Sequence, residues 1–303
     1  MKAVRGWWAV ALGLLIACAH ARPVTDAHGT IVEVPARPQR VVVLSELDLD
    51  ALLALGLRPV ATTSGRGQVG VPRYLEKAAA GIPVIGSFGA PVLDQLLSAQ
   101  PDLILAGGVP DPGLLAQLRK VAPTVVSFKP GEDWKLALQR VATIVDRLPA
   151  AQTVLARAAE RSAAARTRLG PQAASTVSVV RWNPQGPAYM LADSFASRVL
   201  ADLRLARPPA QREPGAGHSP PLSLEALDRI DGDWLFIGTL SASGQARSAL
   251  DAARRSAAFG QLQAVRRNHA VIVDGSLWTG LGGPLAAMAV IDDVERAMAP
   301  VPQ

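Results

Sequence analysis

A chain of 303 residues with 49% hydrophobic and 18% charged side chains can bury the cores of two modest α/β lobes, and that composition excludes wholesale disorder. The formal charge of +6 falls to +4 once Lys2 and Arg5 are set aside, and the remaining basic residues form no run, so a small anion is a more natural partner than nucleic acid. The single cysteine, Cys18, excludes an intrachain disulfide and leaves stability to packing.

The first stretch, "MKAVRGWWAVALGLLIACAHARP", has the order of a secretory signal: basic residues, an apolar run from Trp7 to Ala17 too short to span a bilayer, then small residues. Two processing routes are open. "LIAC" resembles the bacterial lipobox, which removes residues 1–17 and leaves Cys18 acylated, whereas "AHA" before Arg22 suits ordinary cleavage of residues 1–21. In neither case does the leader belong to the fold.

"VTDAHGTIVEV" reads as a hairpin or edge strand around the turn Asp26 to Gly29. Short β-rich runs follow at 40–45, 59–63, 83–86, 102–108 and 124–128, separated by helical stretches such as "LDLDALLALG" and "PGLLAQLRKVA". Strands alternating with helices imply βαβ units and a mainly parallel sheet, here a first lobe over 24–148. Residues 150–169 contain no glycine or proline and are rich in alanine and arginine, with Pro149 before them and Gly170-Pro171 after. They predict one linking helix over 149–170, a rod of roughly 30 Å at ~1.5 Å per residue. The alternation resumes at 176–182, 233–238 and 270–275 in a second lobe over 171–303. The predicted fold class is therefore α/β, two Rossmann-like lobes bridged by a single long helix.

An internal echo joins the lobes. "VLDQLLSAQPDLILAG" (92–107) aligns without a gap onto "SLEALDRIDGDWLFIG" (223–238), so each lobe carries a short helix feeding a buried strand. The register pairs Asp94 with Glu225 near the two helix starts. Acids there complement the helix dipole, and twinned acids on two lobes also suit a partner built from two similar basic subunits.

In such sheets ligands bind beyond the carboxyl ends of the strands. Those ends give Ser45, Glu46, Arg66 and Phe88 in the first lobe and Arg181, Trp182 and Trp278 in the second, with His218 in the loop "GAGHSPP". Arginine grips anionic oxygens and aromatic faces cover flat surfaces. Trp278 stands directly before "TGLGG", whose missing side chains leave room for a ligand beside the indole. Motifs of nucleophilic hydrolases, zinc peptidases and phosphate-binding loops do not occur. The four histidines, His20, His28, His218 and His269, are scattered, so neither catalytic residues nor a metal site is assigned and no cofactor is expected.

Taken in order, "VTDAHGTIVEVPARPQRVVVLS", "IPVIGSFGAPVLDQLLSAQPDLILAGG", "SFASRVLADLRLARP", "LSLEALDRIDGDWLFIG" and "SLWTGLGGPLAAMAVIDDV" resemble the iron-siderophore periplasmic binding proteins of ABC importers, the ferric-citrate-type branch above all. The resemblance runs from Val24 to Met298. It implies the class III periplasmic binding protein fold, with little hinge closure, and an extracytoplasmic monomer, either free in the periplasm or a lipoprotein outside the cytoplasmic membrane. It further implies capture of a ferric siderophore between the lobes and delivery to an ABC permease dimer, with haem or a corrinoid as the alternative ligand and a siderophore-modifying enzyme as a distant one. Asp94 and Glu225 fall where the family carries acids that meet permease arginines, although glutamate is usual at the first position. Trp278 falls on a tryptophan that lines the cleft in relatives. Phe88 departs from the pattern, since close relatives often place an arginine in that loop, which leaves Arg66 and Arg181 to carry the charge.

Overall fold

A computed structural model of the chain describes residues 21–298; residues 1–20, Cys18 among them, lie outside these. Strands β1 (Ala21–Thr25) and β2 (Ile31–Pro35) form an antiparallel hairpin. Asp26 shapes its turn, its Oδ1 accepting from the backbone N–H groups of His28 and Thr30, both at 2.8 Å. The first lobe follows as β3 (Val41–Val43), α1 (Glu46–Ala54), β4 (Ala61–Ser64), β5 (Val84–Ser87), β6 (Ala90–Pro91), α2 (Leu93–Ser98), β7 (Leu103–Leu105), α3 (Pro112–Leu118), β8 (Thr124–Val125) and α4 (Trp134–Ile144). Its six-stranded sheet has the order β6-β5-β4-β3-β7-β8, parallel except for the β5/β6 edge pair. The valines of β3 and the residues Leu103 to Leu105 of β7 are buried throughout, as expected of central strands with helices on both faces. Helix starts follow the caps in the sequence: Ser45, Asp111 and Asp133 each accept a backbone N–H at the head of α1, α3 and α4.

Helix α5 (Leu148–Leu169) connects the lobes. Ala151, Ala158, Ser162, Ala165 and Leu169 are its buried residues, one stripe at helical spacing. The second lobe comprises β9 (Val177–Asn183), β10 (Gly186–Tyr189), α6 (Phe195–Asp202), β11 (Trp234–Thr239), α7 (Gln245–Ala253), α8 (Ala257–Gly260), α9 (Gln263–Arg266), β12 (Ala270–Asp274), α10 (Gly275–Trp278) and α11 (Pro284–Met298). Its sheet has the order β10-β9-β11-β12, with β9, β11 and β12 parallel and β10 antiparallel. The echo between the lobes is imperfect: 92–107 forms α2 and β7, whereas Leu224–Ile230 is a 3-10 turn kinked at Ala226 before β11.

The lobes share one core. Val43, Leu138, Ala158, Leu200, Trp278 and Val290 belong to a single buried cluster. Helix α11 packs on α5 and α1, and Arg161 of α5 pairs with Asp292 (2.5 Å) and Glu295 on it. Polar ties cross between lobes as well. Asp50 of α1 accepts the N–H groups of Gly283 (3.1 Å), Leu285 (2.8 Å) and Ala286 (2.9 Å) at the start of α11, and the Tyr74 hydroxyl at 3.1 Å. Arg73 donates to the Leu240 carbonyl at 3.0 Å and pairs with Asp274.

Candidate functional site

Between the two sheets lies a cleft of about 330 Å³, within the range of small-molecule sites and near its lower end. The first lobe contributes Arg66 from the turn after β4, Phe128 and Lys129 after β8, Glu132, and Leu47 and Trp134 from α1 and α4. The second contributes Arg181 on β9, Met190, Asp193, Ser194 and Phe195 around the turn after β10, Arg198 on α6, His218, and the glycine turn Thr279 to Gly282.

The charges in this cleft are unequally matched. Glu132 is held by both terminal nitrogens of Arg140, each at 2.7 Å, and Asp193 pairs with Arg198 at 3.0 Å, so both acids are neutralised by arginines of their own. Arg198 also reaches across to the Gly131 carbonyl at 2.6 Å. By contrast Arg66, Lys129 and Arg181 form no ion pair among the described residues. Arg66 lays its guanidinium over the Phe88 ring, 4.2 Å from the centroid, and its Nε has no hydrogen-bond partner. Arg181 donates from Nε to Thr279 Oγ1 at 3.1 Å and from Nη2 to the Thr279 carbonyl.

Burial lowers the Arg181 guanidinium to about 10, the neighbouring Arg66 cation pushes it the same way, and Glu46 partly opposes them. Burial lowers Arg66 too. Both remain cations at neutral pH, two like charges from opposite lobes facing one crevice. An anion between them would relieve their repulsion and accept their free N–H groups.

Among the residues expected at the site, Arg66, Arg181 and His218 line the cleft. His218 accepts no bond at Nδ1: that nitrogen lies 2.7 Å from the Ser219 carbonyl, which can only accept, so it carries the proton and Nε2 is left free for other partners. Phe88 does not line the cleft but forms the half-buried platform under Arg66.

Besides Phe88, four expectations are corrected. Trp278 is 0% exposed, stacked on Phe236 with ring centroids 4.5 Å apart, and its indole N–H donates to Asp293 Oδ2 at 2.9 Å. The cause is local: Asp274 caps Ser276 N–H at 2.8 Å and starts the one-turn helix α10, which turns the indole inward beneath the glycine turn that does reach the cleft. Trp182 is buried against Phe259 in an edge-on pair, on the side of the second sheet away from the cleft lining. Ser45 is consumed as the cap of α1, donating to Asp48 Oδ2 at 2.8 Å and accepting the Asp48 N–H at 3.1 Å. Glu46 lies beneath the cleft as a buried tie between lobes: Oε1 accepts the Arg66 backbone N–H and Oε2 accepts Leu281 N–H at 3.1 Å. Burial raises its carboxyl above the ordinary range, against the pull of those donors and of Arg66 and Arg181.

Other lining residues were not anticipated. Lys129 and Glu132 follow β8, a strand the sequence shows, and extending the carboxyl-end rule to it finds them. Met190, Asp193, Ser194 and Phe195 follow the antiparallel strand β10, to which that rule does not apply; only Ser194 and Phe195 carry a signal, as the opening of the stretch "SFASRVLADLRLARP". Among the described residues no cluster of three His, Cys, Asp or Glu side chains could hold a metal ion, and no helix is long and apolar enough to cross a membrane.

Two α/β lobes on one long helix, facing a shared cationic crevice, define a two-lobed substrate-binding protein. Residues 41–277 match the model of the periplasmic binding protein family Peripla_BP_2, and the chain belongs to that family. It is 32% identical over 282 residues to the probable siderophore-binding lipoprotein YfiY of Bacillus subtilis (strain 168), covering 90% of this chain and 86% of the relative. It is 29% identical to the achromobactin-binding periplasmic protein of Dickeya dadantii (strain 3937), covering 86% of each. The crystal structure of Staphylococcus aureus SirA complexed with staphyloferrin B matches with a TM-score of 0.79 at 21% identity, over 91% of this chain and 98% of that one, a likeness of fold. As a member of the family the chain is an extracytoplasmic binding component of an ABC importer and not an enzyme.

Proposed function

We propose that the protein captures an anionic ferric siderophore in the cleft and presents it to an ABC permease dimer. The observation that carries this reading is the pair Arg66 and Arg181, brought from opposite lobes with no direct ion pair to either among the described residues and only the buried Glu46 beneath them. The iron is cargo and arrives wrapped in its chelator: the cleft offers cations and apolar walls, which recognise the chelator's oxygens and its surface rather than ligating metal. Lys129 adds a donor and His218 Nε2 an acceptor at the edge, and Phe128, Trp134 and Phe195 supply flat apolar contact. The small cleft suits a compact chelate better than a haem or a corrinoid.

Delivery is assigned to Asp94 and Glu225, both exposed and neither lining the cleft, as the acids that meet the permease subunits. The chain works as a monomer of two lobes, 24–148 and 171–303, either free in the periplasm or held through an acylated Cys18. Titration with ferric citrate, an iron(III) tris-catecholate, haemin and cobalamin, read by quenching of Trp134 at the cleft, tests the ligand. Quenching by the ferric chelates is expected, and quenching by haemin or cobalamin alone overturns the reading. Mass spectrometry of the mature N-terminus decides between the two processing routes.

A further inference from the structure

We propose that Arg207, buried one side-chain layer behind the cleft, selects for anionic ligands by adding a fixed positive charge to the wall formed by Met190 and Ser194. The inference rests on the proposed function and assigns it a further specificity residue. Arg207 is only 8% exposed. Its Nη2 donates to the Met190 carbonyl at 3.2 Å and to Gln211 Oε1, and its Nη1 donates to Ser197 Oγ. Ser197 Oγ donates in turn to the Leu191 carbonyl at 2.8 Å and lies 2.8 Å from Ser194 Oγ. Met190 and Ser194 both face the cleft, so the guanidinium is joined to the cleft wall through a carbonyl on one side and two hydroxyls on the other.

Every acceptor of Arg207 is neutral. No carboxylate pairs with it among the described residues, and its Nε has no partner. Burial lowers the group to about 9, which still leaves it charged at neutral pH. The flanking charges do not cancel it. Arg212 donates to the Arg207 carbonyl at 2.7 Å and brings a second cation, while Asp193 is engaged by Arg198. A buried charge without a counter-ion burdens the folded state, and an apolar side chain of similar volume would not. An anion in the cleft supplies the missing counter-charge. Placed behind the wall, the cation raises the potential of the cleft without occupying any of its volume.

The test compares wild type with Arg207→Gln and Arg207→Lys, titrated with ferric citrate and with an iron(III) tris-catecholate. At an effective dielectric of about 20, a unit charge one layer from the ligand changes affinity by roughly an order of magnitude. Arg207→Gln should therefore bind these anions about tenfold more weakly, ~1.4 kcal/mol, while melting within a few degrees of wild type. Arg207→Lys should match wild type at pH 6 and fall to the Gln level as pH rises through the depressed pKa of a buried lysine, with wild type unchanged relative to it. A purely structural role would not produce that profile. Wild-type affinity in Arg207→Gln, or pH-independent weakness in Arg207→Lys, overturns the inference alone, and the lysine profile decides the matter if the Gln variant does not fold. Wild-type protein that takes up neither anion overturns the proposed function together with this inference.

Discussion

At the scale of single residues, the cleft divides side chains that face the ligand from side chains that build the wall. Arg181 faces it, so Arg181→Met should weaken binding of an anionic ferric chelate by about 10–100-fold, the worth of charged hydrogen bonds, with melting near that of wild type; calorimetric titration beside a thermal scan checks both halves. Trp278 builds it. Trp278→Ala opens a hole under Phe236 and removes the indole donor from Asp293, which keeps its pair with Arg296, and should cost about 3–5 kcal/mol of stability in a denaturant titration, an effect on folding rather than recognition. Strand-end reasoning suggests a ligand-facing role for both residues; Arg181 keeps it and Trp278 does not. Position along the chain shows that Trp278 follows β12 beside a glycine turn; the direction of its indole is set by the Asp274 cap and by the space over Phe236.

At the scale of elements, the start of α11 is capped from another lobe. Its first turn leaves backbone N–H groups unpaired within the helix, and Asp50 of α1 takes three of them, so close that a side chain at Gly283 would meet the carboxylate at 2.8 Å. Burial raises Asp50 from 3.8 to about 6, outweighing the pull of those three donors and of Tyr74. The folded state thus holds a proton that the unfolded chain releases near pH ~4. The stability contributed by the protonated carboxyl is fully present below that pH and is lost as pH rises through about 6, a change capped near 3 kcal/mol. Urea unfolding from pH 4 to 7 should show this decline in wild type and a flatter curve in Asp50→Asn. Helix α1 itself was legible from its leucines, but Glu46 looked like a ligand group and Asp50 carried no signal of its role, because Leu281 and the N–H groups of Gly283, Leu285 and Ala286 lie more than two hundred residues away.

At the scale of the whole molecule, one continuous core and the ties through Asp50, Glu46 and Arg73 bind the lobes together. Small-angle scattering should accordingly register little change in radius of gyration when ligand is added, and a change of several ångströms would show that these ties break. The exposed acids belong to this scale too. Charge reversal at both Asp94 and Glu225 should leave chelate affinity within twofold while abolishing uptake in cells, since neither lines the cleft; a large loss of affinity would relocate them.

By itself the amino-acid sequence determined the α/β class, the order of strands and helices, the linking rod and the region of the cleft, because periodicity, caps and breakers act over a few residues. It also marked Arg66, Arg181 and His218 through their places at strand ends and in loops. Only the tertiary structure decided that Trp278, Trp182, Ser45 and Glu46 are scaffold, that Arg198 and Asp193 neutralise each other, and that Arg207 stands alone behind the wall. Burial and pairing are properties of residues far apart in the chain, and they take a value only when the two lobes close on a common core.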